Sequence, residues 1–557
     1  MMPDPYRTPT SWDESWTRVV DVIVVGSGAA GFSAALAAAD SGCSVLVLEK
    51  ADGLGGTTAR SSATMWLPNN PLMGRHGISD PRDRALHYLA SASYPALYNP
   101  HDAATLGLGE HRYSLLEALF DEGTTAFELL HRLDALPIDE TNYPAFADYY
   151  AENPSNDAPS GRTVRIAMPE GYRPGMGETG GQVFIATMAR VAESLGTEVL
   201  TSRRVTTLIK DEAGVAVGVE ATSRFGTEIF GARRGVIFAT GGFVHNPDLV
   251  REYLRGPILG GAGAREATGD FVRIGSEAGA MLGNMAHAWW DQTVVEAAVR
   301  SRVTSRDAVY LFGDSMIVVN GRGERVVNEK KPYNDRGQVH HYWDADRNAF
   351  SNLLLFMIFD DAVLRDQRAA RHRYPIPDEQ GGEENLISAA SLEELAEAVS
   401  TRLAELAPAL GDHPLEPSFL PNLRSTIRRY NEMAAAGEDA DHSRGESAIE
   451  RAWATVPREP GQSNPTMYPI ADHGPYHCVI LGPGALDTKG GPVVDAQARV
   501  LNFDHDPIPG LYGAGNCIAS PTGEAYYGPG ATVGAAITFG VIAGRAAADR
   551  SAYEPQL

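Results

Sequence analysis

The apolar positions of this chain change period along its length, and each change predicts a different element. Val22-Ile23-Val24-Val25 is a block of β-branched residues with no polar interruption, which predicts a strand buried on both faces. An alanine-rich stretch follows and predicts a helix, and the apolar run Ser44 to Leu48 predicts a second strand. Across residues 80–137, Leu115, Leu116, Leu119, Phe120, Phe127, Leu129 and Leu130 recur at helical spacing. Asn142 to Ala158, rich in Pro, Asn and Tyr, reads as a loop, and Gly180-Gly181-Gln182-Val183-Phe184 as the start of a helix. Strands are predicted at Glu198–Leu200, Arg204–Ile209 and Val215–Glu220, and a buried strand runs from Gly235 into a glycine turn ending at Phe243. Farther on, the pattern predicts a hairpin over Ile317 to Asn328, a strand at Leu353 to Phe359, and helices at 391–407 and 421–436. The polar run Glu438 to Glu446 reads as a solvated loop. Near the end, Leu511 to Asn516 predicts a strand and tight turn, and Tyr526 to Ala536 leads into a small-residue helix.

The polar residues between the first two strands add chemistry. Gly26-Ser27-Gly28-Ala29-Ala30-Gly31 follows the strand, and Glu49 stands about twenty residues beyond, the spacing of a dinucleotide fingerprint. Gly26 allows the tight turn, Gly28 lets backbone approach a pyrophosphate, and Gly31 lets helix and strand pack closely. The helix N-terminus offers N–H groups and a positive dipole end to phosphates. Glu49 can accept hydrogen bonds from ribose hydroxyls. A second glycine–hydroxyl loop, Gly53-Leu54-Gly55-Gly56-Thr57-Thr58, stands just after the acid, as in FAD proteins rather than NAD proteins.

Length and charge narrow the class. At 557 residues the chain exceeds one ordinary core, so two domains or one with an insertion are expected. The formal charge of −24 argues against nucleic acid and against an anionic membrane surface. Cys43, Cys478 and Cys517 have no CxxC spacing and suit a reducing compartment. With no secretion signal and no apolar run of about 18 residues read from the chain, a cytoplasmic protein without a transmembrane segment is expected. His340-His341 is set aside as a metal or acid–base pair, because adjacent side chains rarely point one way, and no metal site is expected. Trp289-Trp290 reads as core or pocket wall.

These segments resemble one family, the FAD-dependent 3-ketosteroid dehydrogenases, within the fumarate-reductase and succinate-dehydrogenase flavoproteins. The resemblance runs over roughly residues 18 to 550. It is carried by VVGSGAAG, LEKADGLGGTTARSSATMWLPN, FADYY (146–150), ERVVNEKKPYNDRG (324–337), LDTKGGPVVDAQARVL (486–501), GLYGAGN (510–516) and AYYGPGATVG (525–534). It implies an α/β chain: a Rossmann-like FAD-binding domain split in sequence, with an inserted α+β catalytic domain. The expected division is a lead-in at 1–18, FAD-binding parts at 19–284 and 488–557, and the catalytic domain at 285–487. FAD is expected to be non-covalent and held by Gly26, Gly28, Ala29, Ala30, Gly31, Glu49, Lys50, Gly55, Gly56, Thr57, Thr58, Ser61, Ser62, Val205, Ala239, Gly241, Gly515, Asn516, Ala531 and Val533. The family's catalytic base falls on Tyr333, its ketone-binding tyrosine on Tyr526, its second oxyanion donor on the backbone N–H of Gly530, and its supporting tyrosine on Tyr149, with Tyr150 beside it. Tyr527 departs from the pattern, standing where the steroid enzymes carry proline.

The implied reaction removes two hydrogens next to a ketone. Tyr526 and Gly530 would stabilise the enolate oxygen, Tyr333 as tyrosinate would take the α-proton, and flavin the β-hydrogen as hydride. A tyrosine titrates near pH ~10 unaided, so activity rising toward alkaline pH is expected. Desaturation of a 3-ketosteroid at C1–C2 is the leading expectation; C4–C5, or a smaller alicyclic ketone such as a cyclohexanone, stays open. A fumarate- or enoate-type reductase needs arginine as proton donor and carboxylate clamp, and only Arg322, Arg325 and Arg336 stand near. A non-catalytic flavin sensor would have no reason to keep all three tyrosines. With no second GxGxxG, the expected electron acceptor is an external quinone or similar molecule.

Overall fold

The computed structural model describes residues 12, 15–170, 179–304, 309–311, 313–367, 374–377, 382–452, 454 and 463–553. They form two compact units: Met1–Leu254 with Gly263–Ala288 and Asp487–Leu557, and Arg255–Ala262 with Trp289–Leu486. Arg255–Ala262 belongs to the second unit because Gly260–Gly261 adds in parallel to the strand Tyr476–Thr488.

The first unit is built on an eight-stranded sheet. Its order is Arg499–Leu501, Pro507–Gly513, Gly226–Phe238, Arg18–Val25, Val45–Leu48 and Glu198–Leu200, with Arg204–Lys210 and Ala216–Ser223 paired on at Gly226–Phe238. The central pairings are parallel, with Ile23 opposite Leu46 on one side and Val236 on the other. Val22, Ile23 and Val24 are fully buried, as an uninterrupted β-branched block requires. The helix Ala29–Asp40 packs against the helix Ala531–Asp549 through small residues. A Cβ on Gly540 would stand 2.5 Å from the Ala30 carbonyl oxygen, and one on Gly544 2.3 Å from that of Ala34. Ala531–Asp549 is, among the described residues, the one helix long and apolar enough to cross a membrane, and 78% of its apolar window is buried inside the protein.

The second unit carries a six-stranded sheet, ordered Ala288–Val294, Tyr476–Thr488, Leu355–Asp360 and Met316–Val319, with Ile387–Ala389 and Gly260–Gly261 also on the long strand. Alternation sorts its side chains into two cores. Ile317, Val319, Phe356, Ile358, Cys478 and Ile480 face the helices Leu392–Leu410 and Phe419–Ala436. Met316, Val318, Leu355, Met357, Phe359 and Val479 face the other way.

Three expectations change. The helical stretch at 80–137 is two helices, Arg82–Ser93 and Glu110–Arg132, separated by turns. The hairpin over 317–328 shrinks to one bridge, Val319 with Arg325, because Met316–Val319 pairs with Leu355–Asp360 instead. Within the lead-in, consistent with the expectation for it, Trp12 and Trp16 meet edge-on at 5.1 Å, and Trp16 packs with Ile209 and Val217, while 1–11 and 13–14 lie outside the described residues. The polar run 438–446 is not solvated throughout. Asp439 and Arg444 are buried, Asp439 paired with Arg325 at 2.8 Å and Arg444 with Glu329 at 3.2 Å. Their partners lie more than a hundred residues earlier, so local composition could not reveal them.

Candidate active site

A groove in the first unit forms where the glycine turn leaves the central strand. Gly26 has a φ of +107°, and a Cβ there would lie 2.4 Å from the Ala239 carbonyl oxygen. A Cβ on Gly31 would lie 1.9 Å from the Gly26 carbonyl oxygen. Gly28 differs. Its Cβ would meet nothing closer than the Thr58 hydroxyl at 3.6 Å, so the room it leaves faces the groove and not another part of the chain. The helix Ala29–Asp40 starts at Gly28, which has no side chain to cap it; the Ala29 N–H donates to the Thr58 hydroxyl at 3.1 Å, and the positive dipole end lies at the groove. Gly31→Ala is expected to yield protein with little bound flavin, read as the ratio of flavin to protein absorbance after purification. Flavin content equal to wild type would show that the turn can yield.

Of the residues expected to hold the cofactor, Gly26, Gly28, Ala29, Ala30, Glu49, Lys50, Gly56, Thr57, Thr58, Ser61, Val205, Ala239, Gly241, Gly515, Asn516 and Val533 line this groove. Four do not. Gly31 packs on Gly26, and Gly55, with a φ of +100°, caps the short helix Gly56–Arg60. Ser62 shares a 2.9 Å hydrogen bond with Thr64, and Ala531 is buried in its helix. Glu49 is braced from below: one carboxylate oxygen accepts from the Ser27 N–H at 3.0 Å and hydroxyl at 2.7 Å, and the other from the Ala51 N–H. Lys50 is tied to Asp270 at 2.9 Å, which also takes Arg204 at 2.7 Å.

Sequence reasoning missed Ser27, Thr240, Ala264, Glu266, Ala267, Asp270, Asp487 and Thr532, all of which line the groove. Asp487 and Thr532 stand inside motifs already quoted, but 264–270 carries no motif at all. Asp487 is fully buried, which pushes its carboxyl pKa up, and it accepts from the Gly242 N–H and the Asn516 amide, both at 3.1 Å. Among the described residues, none that lines the groove is a histidine, cysteine or tyrosine.

Beside the groove, the first turn of Ala531–Asp549 contributes Thr532 and Val533 to the lining, and Gly530 is that helix's N-cap at a φ of +86°. A Cβ at Gly530 would stand 2.2 Å from the Thr64 carbonyl oxygen. Just before it, Tyr526 is buried and stacks on buried Tyr149, ring centroids 5.6 Å apart and planes 21° from parallel. Tyr149 N–H donates to the Tyr527 carbonyl at 2.7 Å, and Tyr526 N–H to the Tyr150 phenol oxygen at 3.3 Å. Tyr527, the departure from the family's proline, turns inward: it is fully buried, stacked on Trp66 and hydrogen-bonded to Ser93. The first unit thus gathers Tyr149, Tyr526 and Gly530.

Tyr333 lies in the second unit, first residue of the helix Tyr333–Gly337 after Pro332. It is buried and meets Tyr310 edge-on at 5.5 Å, while Asn334 accepts from the Trp290 N–H at 3.2 Å. The nearby arginines are engaged within the protein. Arg336 donates to the Gln292 side chain at 2.6 Å and to the carbonyls of Glu329 and Lys331; Arg325 pairs with Glu329 and Asp439, and Arg322 with Glu324. His340 is fully buried; burial pushes its pKa down to about 3, and its Nδ1 lies 3.0 Å from the carbonyls of Asn352 and Leu353. Among the described residues no group of three or more His, Cys, Asp or Glu is placed to hold a metal ion.

Groove, glycine turn and braced acid form a dinucleotide site, and the family match makes its cofactor FAD and the protein a flavin-dependent oxidoreductase. The FAD binding domain family matches residues 21–533. The chain is 31% identical to the 3-oxosteroid 1-dehydrogenase of Mycolicibacterium smegmatis, over 94% of this chain and 96% of that one. It is 29% identical to the 4-oxocyclohexanecarboxylate 2-dehydrogenase of Sinomonas cyclohexanicum, over 96% and 93%. Its fold matches the crystal structure of 3-ketosteroid delta1-dehydrogenase from Sterolibacterium denitrificans in complex with 1,4-androstadiene-3,17-dione, with a TM-score of 0.75, 26% identity, and coverage of 96% and 100%. The chain belongs to the FAD-dependent 3-ketosteroid dehydrogenase family.

Proposed function

We propose that this protein desaturates a cyclic ketone next to its carbonyl, with a 3-ketosteroid oxidised at C1–C2 as the leading substrate. The observation that carries the reading is the join between Tyr526, Gly530 and the cofactor groove. The two groups assigned to the ketone oxygen precede a helix whose first turn lines the groove. In this reading the Tyr526 O–H and Gly530 N–H donate to the ketone oxygen, and negative charge gathers there as the α-proton leaves. Tyr333, as tyrosinate, takes that proton, and Tyr149 is the supporting tyrosine. The groove residues would hold FAD, which would supply the hydride acceptor for the β-hydrogen as the conjugated enone forms. An external acceptor such as a quinone then takes the electrons.

The ring size has two supported alternatives, because the relatives include both steroid and cyclohexanone-carboxylate dehydrogenases. The reductase reading loses support from the arginines, since Arg325 and Arg336 are buried and donate to groups of the protein itself. The test is anaerobic loss of flavin absorbance on adding 4-androstene-3,17-dione, a 5α-saturated 3-ketosteroid, or 4-oxocyclohexanecarboxylate. Bleaching by the first, with a 1,4-diene product, supports C1–C2 oxidation of a steroid. Bleaching by the second alone, with a 4-ene product, moves the reaction to C4–C5, and by the third alone moves the substrate to a single ring. No bleaching with any ketone overturns the reading. The rate of bleaching is expected to rise about tenfold per pH unit below the base's pKa; a flat profile from pH 6 to 10 would remove a tyrosinate base.

A further inference from the structure

Tyr149 and the Tyr526–Gly530 turn lie on separate pieces of chain, and one buried side chain reaches both. We propose that Trp66 is a positioning residue that holds these pieces in register for ketone activation; the inference rests on the roles proposed above for Tyr149, Tyr526 and Gly530. Trp66 is 1% exposed and acts in four directions. Its indole N–H donates to Asp148 Oδ1 at 2.9 Å, on the residue before Tyr149. Its ring stacks on Tyr527, the residue after Tyr526, at 4.6 Å between centroids and 25° between planes. Its backbone N–H donates to the Gly530 carbonyl at 3.1 Å. Its own carbonyl lies so close to the following helix that a Cβ on Gly534 would stand 1.9 Å away.

Each of these partners is itself fixed. The second oxygen of Asp148 accepts from Arg162 Nη1 at 2.5 Å, and Arg162 is closed on another side by Asp80 at 2.7 Å. Arg162, Asp148 and Asp80 are all buried. Tyr527 is anchored through its phenol on Ser93, and its carbonyl receives the Tyr149 N–H. A buried indole N–H needs an acceptor, and the one that Trp66 uses is the carboxylate adjoining Tyr149, which couples the ring's position to that segment. Since Trp66 is buried away from solvent, loss of the N–H should alter how the ketone is activated and not how tightly it binds.

Trp66→Phe keeps the ring stack and both backbone contacts and deletes the indole N–H. The expected result is wild-type flavin content and KM within about twofold, with kcat for ketone oxidation reduced roughly 10- to 100-fold. Exchange of substrate α-protons into D2O by the photoreduced enzyme, which reads ketone activation without hydride transfer, should fall by the same factor. Wild-type kcat and exchange in this variant overturn the inference. So does a loss of activity that merely follows a loss of flavin content, the mark of a structural residue. If Trp66→Phe does not fold, Tyr527→Leu removes the surface on which the indole stacks, and wild-type exchange there is equally fatal. Should the wild-type protein neither bleach nor exchange with any ketone tested, the proposed function falls and carries the inference with it.

Discussion

Tyr333→Phe is expected to bind ketone and FAD normally and to leave the flavin oxidised. The substitution removes one oxygen from a buried ring whose packing against Tyr310 and whose place at the start of Tyr333–Gly337 do not depend on it. General-base catalysis contributes about 10²–10⁴-fold, so anaerobic bleaching should slow by that factor while the substrate-induced spectral shift persists at wild-type concentration. Stopped-flow absorbance measures both. A rate within threefold of wild type would remove Tyr333 from the base role and leave ketone oxidation standing. A lost spectral shift would make Tyr333 a binding residue instead.

The largest stability effect is expected at Glu329, which is fully buried between two guanidinium groups. Arg325 lies 2.8 Å away and Arg444 3.2 Å, and Arg325 continues to Asp439. Burial alone would raise the Glu329 carboxyl; Arg325, and then Arg444, outweigh it and hold the pKa down to about 2. Glu329→Gln takes the carboxylate from Arg444 and leaves Arg325 with Asp439 alone, and should cost about 3–5 kcal/mol, the usual price of breaking a buried pair. Chemical denaturation at pH 7 reads this directly. The sign of the pH dependence follows from the lowered pKa. The stabilisation is whole above the unfolded value of about 4.3 and disappears as pH falls toward about 2, so wild type and Glu329→Gln should converge across that interval. Curves that stay parallel between pH 4.5 and pH 2.5 would show that Glu329 does not carry the stabilisation as an ion.

Much of the first unit was legible because its signals are local. Strand, glycine turn, helix and acid follow one another within Arg18–Glu49, and each glycine has a steric reason that a sequence can express. The amphipathic helices at Leu392–Leu410 and Phe419–Ala436 were legible for the same reason, their apolar stripes being complete in themselves. What escaped depends on partners distant in sequence. Asp439 and Arg444 look like a solvated run until Arg325 and Glu329 are brought beside them. Ala264, Glu266 and Asp270 reach the groove from a segment with no motif, and Asp270 reveals its place only through Lys50 and Arg204. Trp66 stood in plain view within a matching stretch, yet its indole N–H acquires meaning only when Asp148 faces it. Tyr527 shows the limit of motif reading. The letter marks a departure from proline and says nothing of where the ring goes, which is onto Trp66 and Ser93.

The groove draws its lining from three stretches far apart in sequence, Val25 to Ser61, Arg203 to Ile274, and Asp487 to Ala536. A nascent chain therefore emerges with the fingerprint turn made and its opposite wall still unsynthesised. The helix Ala29–Asp40 meets Ala531–Asp549 through small residues, and that partner is translated only after all eight strands of the sheet. Cofactor capture thus waits for the segment up to Ala536, and a truncation before it forfeits one wall of the flavin site however well the earlier strands fold.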